Sequence, residues 1–230
     1  MKLRPLFILL AVLTLSATVR SAPGTLIPRP QEATRLDGQF VFTTGIPVVY
    51  ASGLEPLAEY IADYIPLQRL DDRTWTAGAA LRLSLDGTMD DESYRLTVTP
   101  QGVQVVGADY GGVFNGLQTL LQLLPSEVYT GQATLPLTVD ACRIEDAPRF
   151  HYRGMMLDVV RTWMDADRVK RHIDLLSHLK INKLHLLLSN DEGWRLEIKS
   201  HPELTEIGAW RGGDSPVMPV YGKWDEKYGG

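Results

Sequence analysis

Three successive stretches decide the fold: Arg153-Gly-Met-Met-Leu-Asp158, the segment from Asp165 to Lys180, and Lys183-Leu-His-Leu-Leu-Leu188. The first is a short apolar run that ends in an acid. The second opens on Asp165, a residue type that caps helices, and spaces Val169, Ile173, Leu176 and Leu179 at helical intervals. The third is apolar again. Strand, helix and strand in that order, with apolar strands, predict a parallel βαβ unit buried on both faces. In such units the loops after the C-terminal ends of the strands carry the site. Asp158 and the stretch after Leu188 are therefore the places to look.

That stretch holds Asp191-Glu192, Trp194 and Arg195. Adjacent carboxylates suit acid–base work. An indole offers a flat apolar wall to a sugar ring, and a guanidinium offers donors to hydroxyls. The plainer reading of Arg195 is a structural partner of Glu197 or Asp191. Arg153 opens the first strand, where a buried arginine is costly unless paired. Asp158 or Asp191 is a candidate partner; the alternative is a donor that reaches substrate hydroxyls.

Working outward, Asp146-Ala-Pro148 interrupts the pattern and separates residues 23–146 from residues 147–230. The earlier part reads as an α+β domain. Strands are expected at Phe40–Phe42, Pro47–Tyr50, Leu81–Leu85, Tyr94–Thr99 and Val103–Val106. A helix over Leu54–Ile65 is stopped by Pro66. Asp109 can cap a second helix, with Val113, Phe114, Leu117, Leu120, Leu121 and Leu124 on one face and Pro125 at its end. Gly111-Gly112 reads as a close-packed helix entry, and Asp90-Asp91-Glu92 as a solvated turn.

The chain has 230 residues, 44% of them hydrophobic, and a net charge of -5. Mild acidity leaves no basic face for a nucleic acid. Residues 1–22 have the order of a signal peptide: Lys2 and Arg4, the apolar run Phe7–Leu15, then small residues to Ala22. The run is shorter than the ~20 residues that span a bilayer. The expected location is secreted or periplasmic, with no stable membrane span after signal removal. Cys142 is the single cysteine, so no internal disulfide and no thiolate zinc site are expected. The histidines show no ligand spacing, and His172 and His178 read as packing or surface residues. Neither a metal nor a cofactor is expected.

A resemblance adds to this reading. Asp146–Phe150, Tyr152–Val159, Val169–Asp174, Asn182–His185, Asp191–Ile198 and His201–Ala209 follow one another in an order that resembles the opening of the catalytic barrel of glycoside hydrolase family 20 β-N-acetylhexosaminidases. Ile27–Pro30 and Phe114–Leu120 resemble that family's smaller N-terminal domain. The resemblance implies an α+β domain followed by the first βαβ portion of a (β/α)8 TIM barrel. It implies hydrolysis of terminal N-acetylhexosamine from glycans, with the substrate's own acetamido group as nucleophile. In that family a neighbouring Asp-Glu pair on a later strand does the chemistry. Asp191-Glu192 lies on an earlier strand and is not that pair.

The same resemblance makes Arg153 the holder of sugar hydroxyls, with Asp158, Asp191 and Trp194 as supporting residues. Departures stand at Leu187 and Asn190, where the family commonly has His and Asp, and at Val160 and Thr162, in place of Ser and His. A complete barrel needs ~250 residues. The expectation is thus a truncated barrel, no catalytic residue within this chain, and no activity of the chain alone. The alternatives are a non-catalytic sugar-binding or vestigial protein, and a glycosidase like the family 84 O-GlcNAcases.

Overall fold

The computed structural model describes residues 25–191, 193–215 and 226–229. The expected signal segment 1–22 and Glu192 lie outside the described residues. A mixed sheet forms first, from β1 (Glu32–Phe42), β2 (Pro47–Tyr50), β3 (Gln68–Asp71), β4 (Leu81–Leu85), β5 (Tyr94–Thr99), β6 (Gly102–Gly107) and β7 (Leu137–Asp146). Its order is β1-β7-β5-β6-β4-β2-β3. The β1, β7, β5 and β6 side is antiparallel, while β6, β4, β2 and β3 run parallel.

Helices α1 (Glu55–Tyr64) and α2 (Tyr110–Leu123) cover one face of the sheet. Alternation decides which face. Tyr94, Leu96 and Val98 of β5 and Val103 and Val105 of β6 point into the core, against Val113, Leu117, Leu120 and Leu121 of α2. Each buried leucine contributes about 1.5–3 kcal/mol. Asp109 caps α2 by accepting from the Gly112 amide at 2.8 Å. A Cβ on Gly112 would lie 2.2 Å from the Ser93 carbonyl oxygen, so this helix entry tolerates only glycine. Gly111-Gly112 thus serves close packing. Cys142 is a buried small hydrophobe, and burial pushes its thiol up to about 11.

Two strands go beyond the sequence reading. β7 lies between β1 and β5, yet its alternation breaks where Ala141 and Cys142 are both buried. β1 extends back to Glu32 through an exposed, polar half, joined to its apolar half across a register shift between Arg35 and Gln39. Neither signal survives a search for strict period two.

The second unit is β8 (Gly154–Asp158), α3 (Ala166–His178) and β9 (Lys183–Leu187). β8 and β9 pair in parallel, with Gly154 opposite Lys183 and Asp158 opposite Leu187. Asp165 caps α3 through the Arg168 amide at 2.7 Å. The expected burial on both faces does not hold among the described residues. Leu157 is the buried residue of β8, β9 and α3 contain none, and Met156 is 52% exposed. Ile173 and Leu179, expected to face inward, are exposed. Two strands and one helix cannot cover both sides of a sheet. Beyond β9 come β10 (Ser189–Asn190), β11 (Gly193–Trp194), the short α4 (Glu203–Glu206), β12 (Trp210–Arg211) and β13 (Tyr228–Gly229). β10 pairs with β11, and β12 with β13.

This contrast has a measurable consequence. Brief digestion with a nonspecific protease should cut within residues 150–229 first and leave a resistant product that ends between Asp146 and Arg149. Equal resistance of both units in a monomer would contradict it.

Candidate functional site

The C-terminal ends of β8 and β9 bring Asp158, Arg161 and Asp191 together. Asp158 accepts from the amides of Val160 and Arg161, each at 2.9 Å, and from Arg161 Nη1 at 2.6 Å. Arg161 Nη2 lies 3.9 Å from Asp191 Oδ1. The Arg161 side chain is 47% exposed, so this acid–base–acid corner faces solvent. Burial alone would raise the Asp158 carboxyl. The two amides and the guanidinium outweigh it and hold the group below its ordinary value.

The loop after β8 is fixed by two more arginines. Arg195 donates to the Val159 carbonyl at 3.3 Å, to Val160 at 3.1 Å and to the Ala209 carbonyl. Arg211 donates to Val160 at 3.3 Å and to Arg161 at 2.8 Å. The Trp163 amide donates to the Tyr228 hydroxyl at 2.7 Å. Arg195 also stacks 5.2 Å from the Trp163 ring centroid. It is therefore a clamp on backbone carbonyls, not a partner of Glu197. Trp194 is half-buried, and its indole N–H is committed to the Leu196 carbonyl. Of the departures noted in the sequence, Val160 is fully buried beneath the loop, while Thr162 is exposed. Among the described residues no group of three or more His, Cys, Asp and Glu side chains is arranged to hold a metal ion.

Arg153 is at the other end. It immediately precedes β8, about 16 Å from Asp158 at ~3.3 Å per strand residue. Its guanidinium grips Glu92 with both prongs, at 2.9 and 3.0 Å. It also donates to the carbonyls of Lys180 at 2.7 Å and Phe150 at 2.9 Å. The expected partners Asp158 and Asp191 are out of reach, and Arg153 lies in the seam between the two units. Glu92, read as part of a solvated turn, is its true partner. Arg153 draws the Glu92 carboxyl below its usual range, against burial.

Asn182 reinforces the pair, donating to the Glu92 carboxylate at 3.3 and 3.4 Å. Lys180 completes the seam, with its ammonium 3.0 Å from Asp146 Oδ2 and 2.8 Å from the Tyr94 hydroxyl. Burial lowers its basicity, and Asp146 opposes that. His178 packs into the same seam, 2.9 Å from Gln118 and against Tyr129. A cleft of about 650 Å³ opens beside the seam, lined by Pro28, Arg29, Tyr94, Asp146, Phe150 and Arg153 among others. It lies at the Arg153 end, not at the Asp158 corner.

Sequence reasoning missed Arg161 and Glu92. Arg161 carried one signal, its place three residues after a strand-end acid. Glu92 carried none, because its partner is 61 residues away.

Residues 24–147 match the profile of glycosyl hydrolase family 20, domain 2. Residues 150–228 match glycosyl hydrolase family 20, catalytic domain. The chain belongs to glycosyl hydrolase family 20. A β-hexosaminidase of Vibrio furnissii is 38% identical over 214 residues, 91% of this chain and 34% of that protein. One from Porphyromonas gingivalis is 37% identical, covering 81% of this chain and 25% of that protein. Among solved structures, the Vibrio harveyi GH20 exo β-N-acetylglucosaminidase in complex with N-acetylglucosamine superimposes with a TM-score of 0.77 at 34% identity. That match covers 91% of this chain and 32% of the other. The chain thus spans about a third or less of the length of these relatives. Its fold is the family's domain 2 followed by part of the catalytic domain.

The Asp158 corner makes a titration prediction. A carboxylate held low in the folded state adds stability that is complete above the ordinary aspartate value of about 3.9 and is lost as pH falls through the folded value. Carboxyl-carbon NMR should place the Asp158 midpoint below about 3.9. Arg161→Met should move it upward. An unshifted midpoint in both proteins would remove the pairing from the site.

Proposed function

We propose that the whole protein hydrolyses terminal non-reducing N-acetylhexosamine residues from glycans, with retention at the anomeric carbon. The observation that carries this reading is the match, in order and over nearly the whole chain, to both parts of family 20 enzymes. In the proposed reaction a glutamic acid outside these 230 residues protonates the glycosidic oxygen. The substrate's acetamido oxygen attacks the anomeric carbon as that bond breaks, and water then opens the cyclic intermediate. Residues 150–228 supply binding and positioning at the strand ends, not the proton. Arg161, fixed by Asp158 and facing solvent, is the arginine placed to meet sugar hydroxyls, in preference to Arg153. The charged and apolar order of residues 1–22 supports export, to the periplasm or outside the cell.

The test uses a protein that joins this chain to the rest of a family 20 catalytic domain. It is offered a chromogenic N-acetyl-β-glucosaminide and the matching plain β-glucoside. Hydrolysis of the acetamido substrate alone is expected, and equal hydrolysis of both would end the substrate-assisted reading. The 230-residue chain by itself should release no chromophore. In the joined protein, Arg161→Met should lower kcat/KM by about one to two decades, since a charged hydrogen bond is worth about 1.5–3 kcal/mol and each decade needs about 1.4. Arg153→Lys should instead lower Tm and leave kcat/KM per folded molecule nearly unchanged. The reverse pattern would return the binding role to Arg153.

A further inference from the structure

Among the described residues, two that are not glycine have left-handed backbone: Glu92, with φ 56°, and Lys180, with φ 60°. Both sit in the seam. Glycine adopts this conformation freely, while a side chain resists it. Lys180 follows the end of α3, where the Lys180 amide bonds to the Ser177 carbonyl at 2.9 Å and the Ile181 amide to Leu176 at 3.0 Å. That bonding pattern is the helix ending in which glycine is the usual residue. Here the position carries a lysine whose ammonium crosses to Asp146 of the other unit. Glu92 is the counterpart, a strained turn residue of the N-terminal domain that crosses to Arg153. Each unit therefore places one charged side chain at a position its own backbone would give to glycine. Local preference is sacrificed at two sites, and both sites join the same two units.

We infer that these residues form a docking clamp, Glu92–Arg153 and Lys180–Asp146, by which the N-terminal domain acts as the template that holds the first βα unit in position. Arg153 extends the hold along the unit, because its side chain also takes the Lys180 carbonyl and its amide donates to Asn182 Oδ1 at 3.1 Å. Asn182 in turn binds Glu92 and the His151 carbonyl. The entrances to both strands, β8 and β9, are thereby tied to one carboxylate. The Asp158 corner at the far end of the same strands inherits its placement from this seam.

The clamp predicts an outcome opposite to that of local backbone preference. Lys180→Gly and Glu92→Gly relieve strain at their own positions. If those residues only shape a helix end and a turn, the variants will keep or raise protection of the second unit. If they dock it, the variants will loosen it. The experiment is amide hydrogen exchange on the complete 230-residue chain, read separately for the N-terminal sheet and for residues 154–158 and 183–187. Expected is a loss of protection of about tenfold or more in β8 and β9 in each variant, with β5, β6 and α2 changed less than about twofold. Lys180→Arg should keep most of the protection, while Lys180→Met, which preserves bulk without charge, should lose it. Arg35→Ala, which breaks the Arg35–Asp140 ion pair within the N-terminal sheet, serves as the control and should leave β8 and β9 unchanged. Unchanged or increased protection of β8 and β9 in both glycine variants overturns the proposal. So does an equal loss in the N-terminal sheet, which would assign the pairs to that domain's own stability.

Discussion

A charge taken out of water must find its opposite, and the seam between the two units removes several at once. The side chains of Lys180 and Asp146 are only 8% and 12% exposed, and those of Arg153 and Glu92 15% and 23%. Removing one partner from a buried pair typically costs about 3–5 kcal/mol, because the other is left uncompensated. The seam therefore has one satisfactory arrangement, with each cation against its own carboxylate. Slippage of the second unit by one strand residue would separate every pair together. Orientation of β8 and β9 follows from that constraint, and so does the direction in which their C-terminal ends point.

Four arginines show how far one chemistry is divided by position. Arg153 grips a carboxylate across the seam. Arg195 and Arg211 donate to carbonyls of Val159, Val160 and Arg161, which fixes the loop after β8. Arg161 leans on Asp158 and stays half in solvent. The planar guanidinium suits all of these tasks, since its several donors are held in a fixed fork. The strand-end corner thus rests on a loop held from behind by the half-buried Arg195 and the buried Arg211.

The unevenness between the units has the same physical origin. The N-terminal sheet closes a core with its own helices. The β8–α3–β9 unit, with apolar side chains such as Met155, Met156, Ile173 and Leu175 exposed, has the composition of an element meant for cover on several sides. In a family 20 catalytic domain that cover comes from further strands and helices of the barrel. The apolar runs that announce the unit in the sequence thus leave Met155 and Met156 exposed and the leucines of β9 only half-buried.

The sequence by itself determined what depends on near neighbours. Asp109 and Asp165 cap their helices and Pro66 and Pro125 follow helix ends through contacts within a few residues, while the apolar runs at 154–158 and 183–187 pair in parallel around a single intervening helix. The family, too, was legible, because its motifs are local and keep their order. Tertiary structure decided the rest. β7 became an interior strand because β1 and β5 offered edges on both sides, which no local pattern announced. Arg153 became a seam residue because the end of β8 that it opens packs against the N-terminal domain, and only the packing of the two units says what meets that end. Glu92 became its partner across 61 positions of sequence, since charge pairing acts through space and takes no account of chain order.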